Sequence, residues 1–311
     1  MEKTIQEVLE KIKAVRGSLT EATLKAYQTR LKKLLMVNEK EDPLFLKTID
    51  PNEVMKNLKE NGLSQSMMGN LLTLILVLGD LYNIEKDKID FYKKEKIKNQ
   101  VKYITKQKEQ TKSEKETKNW VGLNDLKKIP DYWKRQFNKS TQNKKLNALK
   151  WFVASLYMTA KYLPPERGNI YIKMKYTKTY PQADNFNYFV DGDNKKLFIN
   201  DFKTVKSLGK QSFKIPKNSK IIKALNAYRL YNTSEWLLIN PKNDQPFTSP
   251  RFTEFLQSVF EPTGKKVSSL LLRKIFISDF YKNDKKIKER NELANKMLHS
   301  TGTAQSVYEK K

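Results

Sequence analysis

Hydrophobic side chains recur at helical spacing through the first third of the chain. In residues 18–37 they stand three or four positions apart, and Ser18 with Glu21 gives the pattern of a capping box at the start of this helix. The pair Asp50–Pro51 predicts the N-cap and first turn of a second helix. A dense apolar stripe over residues 64–82 predicts a third helix that is buried. These patterns indicate an all-helical N-terminal domain.

The hydrophobic period changes in the second part of the chain. Two helices are predicted at residues 123–138 and 142–163, and Pro164–Pro165 ends the second one. Alternating apolar and polar positions then predict four short strands, with a turn at DGDN between two of them: residues 170–176, 185–190, 196–202 and 212–216. Helical patterns return afterwards: residues 218–231, 249–260, 268–282, 286–298 and a short helix near Ala304. The chain is therefore predicted to be mainly α, with a small antiparallel sheet inserted in its second part.

A charged stretch separates the two regions. Residues 93–118 hold ten lysines and few apolar side chains, which leaves them no place in a core. The length of 311 residues also exceeds what a single core usually supports. We therefore divide the chain into a helical domain (1–92), a Lys-rich linker (93–118) and a mostly helical domain with the inserted sheet (119–311).

Charge gives the first indication of a partner. The chain has 61 Lys and Arg against 34 Asp and Glu, a formal net charge of +27, which favours a polyanion and above all nucleic acid. The lysines of the linker then serve either as a solvated tether or as contacts to the phosphates of duplex DNA. The helix at 18–37 either enters the major groove or only packs.

Composition excludes several kinds of chemistry. The chain has no Cys and a single His, so disulfide scaffolds, Cys nucleophiles and the usual zinc sites are excluded, and we expect no metal or cofactor. The acidic pair in DGD at 191–193 is explained by a hairpin turn rather than by metal ligation. The chain shows neither a signal-peptide pattern nor an apolar run long enough to cross a bilayer. A soluble, intracellular protein that does not associate with membranes is expected.

Four residues in the second domain are candidates for a functional site. The single histidine, His299, is followed nine residues later by Tyr308 in LHSTGTAQSVYEK. Arg273 lies near the start of the apolar helix SSLLLRKIFISDF, where a buried guanidinium needs an anion such as a phosphate. Arg167, in LPPERGNIY, stands at the break between a buried helix and the first predicted strand.

The chain resembles the tyrosine recombinase/integrase family in the order and separations of five features: Arg167, a Lys-bearing strand pair, Arg273, His299 and Tyr308. Within that family it is more similar to divergent viral or mobile-element members. The resemblance covers nearly the whole chain. It implies a helical, SAM-like core-binding domain around TLKAYQTRLKKLL and, from about Trp120 onwards, a catalytic domain with the fold of the DNA breaking-rejoining enzymes.

The resemblance also implies a role for each residue. Tyr308 would be the nucleophile that forms a 3′-phosphotyrosyl link, while Arg167 and Arg273 would clamp the phosphate. His299 would hydrogen-bond the phosphate or assist proton transfer, and a hairpin lysine would protonate the leaving 5′ oxygen. We favour Lys203 over Lys206 for that lysine. The implied partner is double-stranded DNA, bound by a protein that is monomeric when free and tetrameric on DNA.

Two departures from the family pattern leave alternatives open. Leu270 stands where relatives commonly have His or Lys, so either Ser269 or Lys266 substitutes or the site has one donor fewer. Only three residues follow Tyr308, which is shorter than the segment that many relatives dock on a neighbouring subunit. The expected task is integration or excision of a viral or mobile genome. A type IB topoisomerase and a catalytically inactive DNA-binding protein of the same fold are the alternatives.

Overall fold

The computed structural model describes residues 2–17, 19–159, 163–181, 186–282 and 285–310. The chain divides into two compact units, Met1–Glu109 and Gln110–Lys311. The first unit contains six helices among its described residues: α1 (Glu2–Val15), α2 (Glu21–Val37), α3 (Phe45–Thr48), α4 (Pro51–Glu60), α5 (Gln65–Tyr82) and α6 (Lys86–Lys108).

Side-chain caps fix where the helices of the first unit begin. Asp50 and Ser64 accept hydrogen bonds from the backbone N–H groups of Asn52 and Met67 at the starts of α4 and α5. Thr20 caps α2, whereas Ser18, the predicted cap, lies outside the described residues. α5 buries seven of its 18 residues, all between Leu71 and Gly79, and its dense apolar stripe contributes six side chains to this unit's core.

The Lys-rich stretch is more ordered than its composition suggested. α6 continues through its first part to Lys108, because Lys, Glu and Gln are good helix formers and pairs such as Lys98–Glu95, 2.6 Å apart, form along the helix. Only Ile89 and Tyr92 of α6 are buried, and both precede the stretch. The two compact units divide within it, between Glu109 and Gln110. Its service as a linker between domains stays a prediction.

The second unit is built around a helix that is buried over ten consecutive residues. Its described helices are α7 (Glu114–Asn119), α8 (Leu123–Leu126), α9 (Ile129–Lys139), α10 (Lys144–Met158), α11 (Gly168–Ile172), α12 (Val205–Leu208), α13 (Lys220–Arg229), α14 (Ser249–Val259), α15 (Ser269–Tyr281), α16 (Ile287–Lys296) and α17 (Thr301–Thr303). Every residue of α10 from Ala148 to Tyr157 is buried, and α9, α13 and α14 pack around it. A mainly helical fold with one small sheet is thereby confirmed.

The sheet differs from the prediction in one pairing and in the bounds of its strands. Its strands are β1 (Met174–Thr177), β2 (Asn187–Val190), β3 (Lys196–Ile199) and β4 (Gln211–Lys214), in the order β1-β2-β3-β4. β2, β3 and β4 are antiparallel as predicted, but β1 runs parallel to β2, so the sheet is mixed. Nine residues separate β1 from β2, and four of them, residues 182–185, lie outside the described structure.

The strand predicted over residues 170–176 was wrong in its first half. Ile170, Tyr171 and Ile172 belong to the short helix α11, and all three are buried. A short apolar run buried on every side does not distinguish a strand from a helix by its period.

Neither a membrane-spanning helix nor a metal-binding cluster is found in the described part of the chain. None of its helices is long and apolar enough to cross a bilayer. No three of its His, Asp and Glu side chains are grouped so that they could hold a metal ion. The carboxylate of Asp191, in the turn after β2, instead contacts the ammonium groups of Lys178 and Lys195.

Candidate functional site

Three of the five predicted site residues line one cavity in the second unit. The cavity has a volume of about 650 Å³, and Arg167, Lys203 and Tyr308 are among its lining residues. The other two, Arg273 and His299, are buried, with 1% and 3% of their surface exposed, and both contact the ring of Tyr308. The structure therefore brings all five residues to one place.

Tyr308 ends a turn of π-helix, Ala304–Tyr308, closed by a 2.9 Å hydrogen bond from the N–H of Glu309 to the carbonyl of Ala304. The tyrosine is 3% exposed and packs in a small core cluster with residues of α15 and α16. This packing directs a polar side chain inwards, beside the basic residues of the site.

Two arginines and a histidine surround Tyr308. Arg167 Nη2 donates to the Tyr308 hydroxyl over 3.4 Å, and the Arg273 guanidinium carbon lies 4.9 Å from the centre of the ring. The His299 ring stacks on the Tyr308 ring, with the two ring centroids 5.0 Å apart and the two planes 14° from parallel. Burial by itself raises the pKa of Tyr308, but the charge of Arg273 and the hydrogen bond from Arg167 outweigh it and lower the pKa below its ordinary value. The two arginines thus make the Tyr308 hydroxyl easier to deprotonate than that of a free tyrosine.

Arg167 is placed by a close approach between two helices. It is the N-cap residue of α11, and a Cβ atom on the following Gly168 would lie 2.8 Å from a ring carbon of Phe252 in α14. The Ser249 hydroxyl at the start of α14 donates to Asn169 Oδ1 over 2.7 Å. These contacts fix the start of α11 and with it the base of the arginine.

Arg273 is held by acceptors of its own chain. Nη1 donates to the carbonyl of Pro165 and to Glu166 Oε2, each over 3.0 Å, and Nη2 donates to the carbonyl of Met297 over 2.9 Å. A guanidinium has five N–H groups, and the one on Nε has no partner within the described structure. The orientation of Arg273 is therefore fixed while some of its donor capacity is unused.

Glu166 is a residue of the site that the sequence analysis missed. Its carboxylate is fully buried and forms an ion pair with Arg273, and Oε1 has no hydrogen-bond partner among the described residues. Burial raises the pKa of Glu166 to about 7, against the opposing effect of the Arg273 charge. The available signal was an acidic residue directly beside Arg167 in a segment that is otherwise apolar.

His299 is neutral in this environment. It follows Leu298, whose φ of 58° turns the backbone, and Nδ1 lies 3.1 Å from the carbonyl oxygen of Ser300. Because a carbonyl only accepts, Nδ1 carries the proton and Nε2 is left as an acceptor, which has no partner in the described residues. Burial, with Arg273 nearby, lowers the pKa of His299 to about 4. The ring is therefore uncharged at neutral pH and offers an acceptor nitrogen, but it is a weaker base than a free histidine.

The loop after β3 presents the predicted lysine to the cavity. Lys203 is exposed and lines the cavity, and the hydroxyl of the next residue, Thr204, donates to the carbonyl of Leu298 over 2.8 Å. Lys206 lies on α12 and is not among the lining residues, whereas Lys173, which the sequence analysis did not consider, is one of them. The hydrogen bond from Thr204 ties the lysine loop to the segment that carries His299.

Leu270 also lines the cavity, with half of its surface exposed. Neither Ser269 nor Lys266, the two residues that the sequence offered as substitutes for the His or Lys expected at this position, is among the lining residues in the described structure. Besides Arg167, the cationic groups on the cavity wall are the ammonium groups of Lys173 and Lys203.

Comparison with known proteins finds similarity to solved structures and no matching family or curated sequence. No protein-family model and no curated protein sequence matches the chain. Among solved structures, the crystal structure of XerA recombinase is similar over 97% of this chain and 92% of its own, with 12% identity and a TM-score of 0.40. A match at this level says nothing about activity.

Proposed function

We propose that this protein is a tyrosine-type DNA strand transferase, a site-specific recombinase or integrase. One observation carries the proposal. The Tyr308 hydroxyl accepts a hydrogen bond from Arg167, which is 141 positions away in the sequence, and the ring of the same tyrosine contacts Arg273 and His299. A phenol among two guanidinium groups and a neutral imidazole is suited to nucleophilic attack on a phosphodiester.

The chemistry follows from the groups on the cavity wall and from the two buried residues that contact the Tyr308 ring. A DNA phosphate bound in the cavity would be held by Arg167, and the charge of the buried Arg273 would add to the stabilisation of the charge that builds up on the phosphate oxygens in the transition state. The Tyr308 oxygen would attack phosphorus while the bond to the 5′ oxygen breaks, leaving a 3′-phosphotyrosyl link. Lys203 would give a proton to the departing 5′ oxygen, and His299 would hydrogen-bond the phosphate or assist transfer of the phenol proton to solvent. Attack by the 5′ hydroxyl of a second strand reverses these steps and completes the exchange.

Duplex DNA is the partner that fits the charge of the molecule. A formal net charge of +27 carried mostly by lysine attracts the phosphate backbone without regard to sequence. A recombinase must act on two duplexes at once, so we propose a monomer in solution that assembles as a tetramer on DNA. Integration or excision of a viral or other mobile genome is the proposed task.

The test is trapping of the covalent intermediate. A suicide duplex, nicked so that the cleaved end diffuses away, should convert the wild-type protein into a DNA adduct that survives denaturant. Tyr308→Phe should give none, while the control Tyr281→Phe, which alters a buried tyrosine of the same core cluster, should still form adduct. An adduct that persists in Tyr308→Phe would overturn the proposed nucleophile.

The fate of the cleaved strand separates the remaining alternatives. Joining to a strand of a second duplex would support a recombinase, whereas relaxation of supercoiled plasmid with return to the original strand would identify a type IB topoisomerase. DNA binding with no adduct on any substrate would identify a DNA-binding protein that lacks catalysis.

A further inference from the structure

Gln110 contacts both sides of the turn that carries Tyr308. Its side-chain Nε2 donates to the carbonyl of Gln305 over 3.1 Å and to Glu309 Oε2 over 3.0 Å. The backbone of Gln110 is left-handed, with φ of 54°, a conformation that a residue other than glycine keeps only where its surroundings hold it. Gln110 belongs to the stretch 93–118, for which the proposed chemistry has no role.

The residue two positions after Tyr308 is hydrogen-bonded to the helix that carries Arg273. The N–H of Lys310 donates to Ser278 Oγ over 2.7 Å, and both residues are buried. Ser278 lies on α15 like Arg273, so the segment after the tyrosine is fixed to the same rigid element as the second arginine. The turn is therefore held at both ends by residues of its own chain.

The geometry points to Gln110 as a positioning residue for Tyr308. Its two hydrogen bonds, to Gln305 and Glu309, hold the turn and so set where the phenol oxygen lies; we call this pair of hydrogen bonds the clasp. This inference rests on the proposed function. A π-helical turn is an uncommon structure that packing must support, and attack needs the oxygen within about 3–3.5 Å of phosphorus and in line with the leaving group. Displacement by about 1 Å can lower a rate by about 10²-fold.

Substitutions at the two ends of the clasp test the inference. At saturating DNA, Gln110→Ala should slow adduct formation by on the order of 10- to 100-fold, with little change in DNA affinity or in the melting temperature. Gln110→Glu should be slower still, because it puts a second carboxylate beside Glu309. Adding Glu309→Gln to Gln110→Glu restores a donor–acceptor pair and should recover part of the rate.

Gln305→Ala is the matched control. It removes an exposed side chain from the same turn but keeps the backbone carbonyl that Gln110 binds, so its rate should equal that of the wild type. An equal loss in Gln305→Ala and Gln110→Ala would mean that the turn tolerates no change, and it would contradict a specific clasp.

Hydrogen exchange on the free protein decides the inference without any catalysis. Gln110→Ala should raise exchange over residues 304–310 and leave the core of α10 unchanged. Unchanged exchange and an unchanged adduct rate in Gln110→Ala would overturn the clasp while leaving the proposed function intact. Absence of adduct in the wild type would instead overturn the proposed function, and the exchange result would still decide whether Gln110 fixes the turn.

Discussion

The charges around Tyr308 are divided unequally between its two arginines. The sequence predicts that a buried Arg273 needs an anion and suggests a phosphate, but in the structure Glu166 already supplies one. Arg167 is half-buried, and its guanidinium bonds to the Tyr308 hydroxyl. Above the pKa of Glu166, the two guanidinium groups and the one carboxylate sum to a single positive charge. Of the two arginines, Arg167 would therefore attract a phosphate more strongly, while Arg273 contributes fixed geometry.

Removing Glu166 should destabilise the protein because it leaves Arg273 buried without a counter-charge. We expect Glu166→Ala to lower the free energy of unfolding by about 3–5 kcal/mol in urea denaturation. Adding Arg273→Met to Glu166→Ala should recover much of the loss, since no unpaired charge then remains. A loss below about 1 kcal/mol in the single variant would show that the pair is not buried as described.

His299 should make the protein less stable in acid. Its pKa is about 4 in the folded protein and near 6.5 when exposed, so the unfolded chain binds the extra proton first as the pH falls. Its stabilising effect is complete above pH 6.5 and is lost as the pH falls towards 4, by roughly 3 kcal/mol in total. His299→Gln should therefore gain stability relative to the wild type as the pH falls through this window, as measured by urea unfolding of both proteins at several pH values. An unchanged pH dependence would contradict a buried neutral histidine.

Among the helices and strands, the sequence predicted those features that depend only on neighbouring residues, such as the starts of helices. Asp50 and Ser64 begin their helices as expected, since a cap acts within one turn of its own residue. The parallel pairing of β1 with β2 could not be predicted, because alternation fixes which face a residue occupies but not the direction of its neighbour. The helix over Ile170–Ile172 was missed because burial on all sides removes the polar positions that reveal a period.

The loop after β3 gives a test that separates the two candidate lysines. Lys203 lines the cavity and its neighbour Thr204 is tied to Leu298, so Lys203→Ala should slow cleavage of a normal phosphodiester. The same variant should cleave a substrate with a 5′-thio leaving group nearly as fast as the wild type, because a thiolate leaves without protonation. Thio rescue in Lys206→Ala but not in Lys203→Ala would identify Lys206 as the acid, and rescue in Lys173→Ala would identify the lysine that the sequence analysis overlooked.

Within the whole second unit, the site draws on segments far apart in the sequence. The order of Arg167, Arg273, His299 and Tyr308 suggested that they act together, and the structure brings them into contact. Glu166 and Gln110 escaped notice because their roles depend on partners more than a hundred positions away. Such pairings follow from the packing of helices, which no local spacing encodes.

The excess of basic residues should make DNA binding strongly dependent on salt. We expect the logarithm of the binding constant to fall linearly with the logarithm of salt concentration, with a slope that corresponds to about six to ten neutralised phosphates. Replacing several lysines of residues 93–108 by glutamine should reduce the slope if α6 contacts the backbone. Fluorescence anisotropy over a salt series measures both slopes. A wild-type slope of about one or two would contradict an extensive DNA interface.

The proposed strand transfer depends on a covalent bond between Tyr308 and DNA. Digestion of a trapped protein–DNA adduct with protease and nuclease, followed by mass spectrometry of the peptides, locates this bond. We expect a nucleotide remnant on the peptide that contains Tyr308, attached through a phosphotyrosyl bond, and no remnant on other peptides. A remnant on another residue, such as Tyr281, or a trapped complex without any covalent bond would rule out attack by Tyr308.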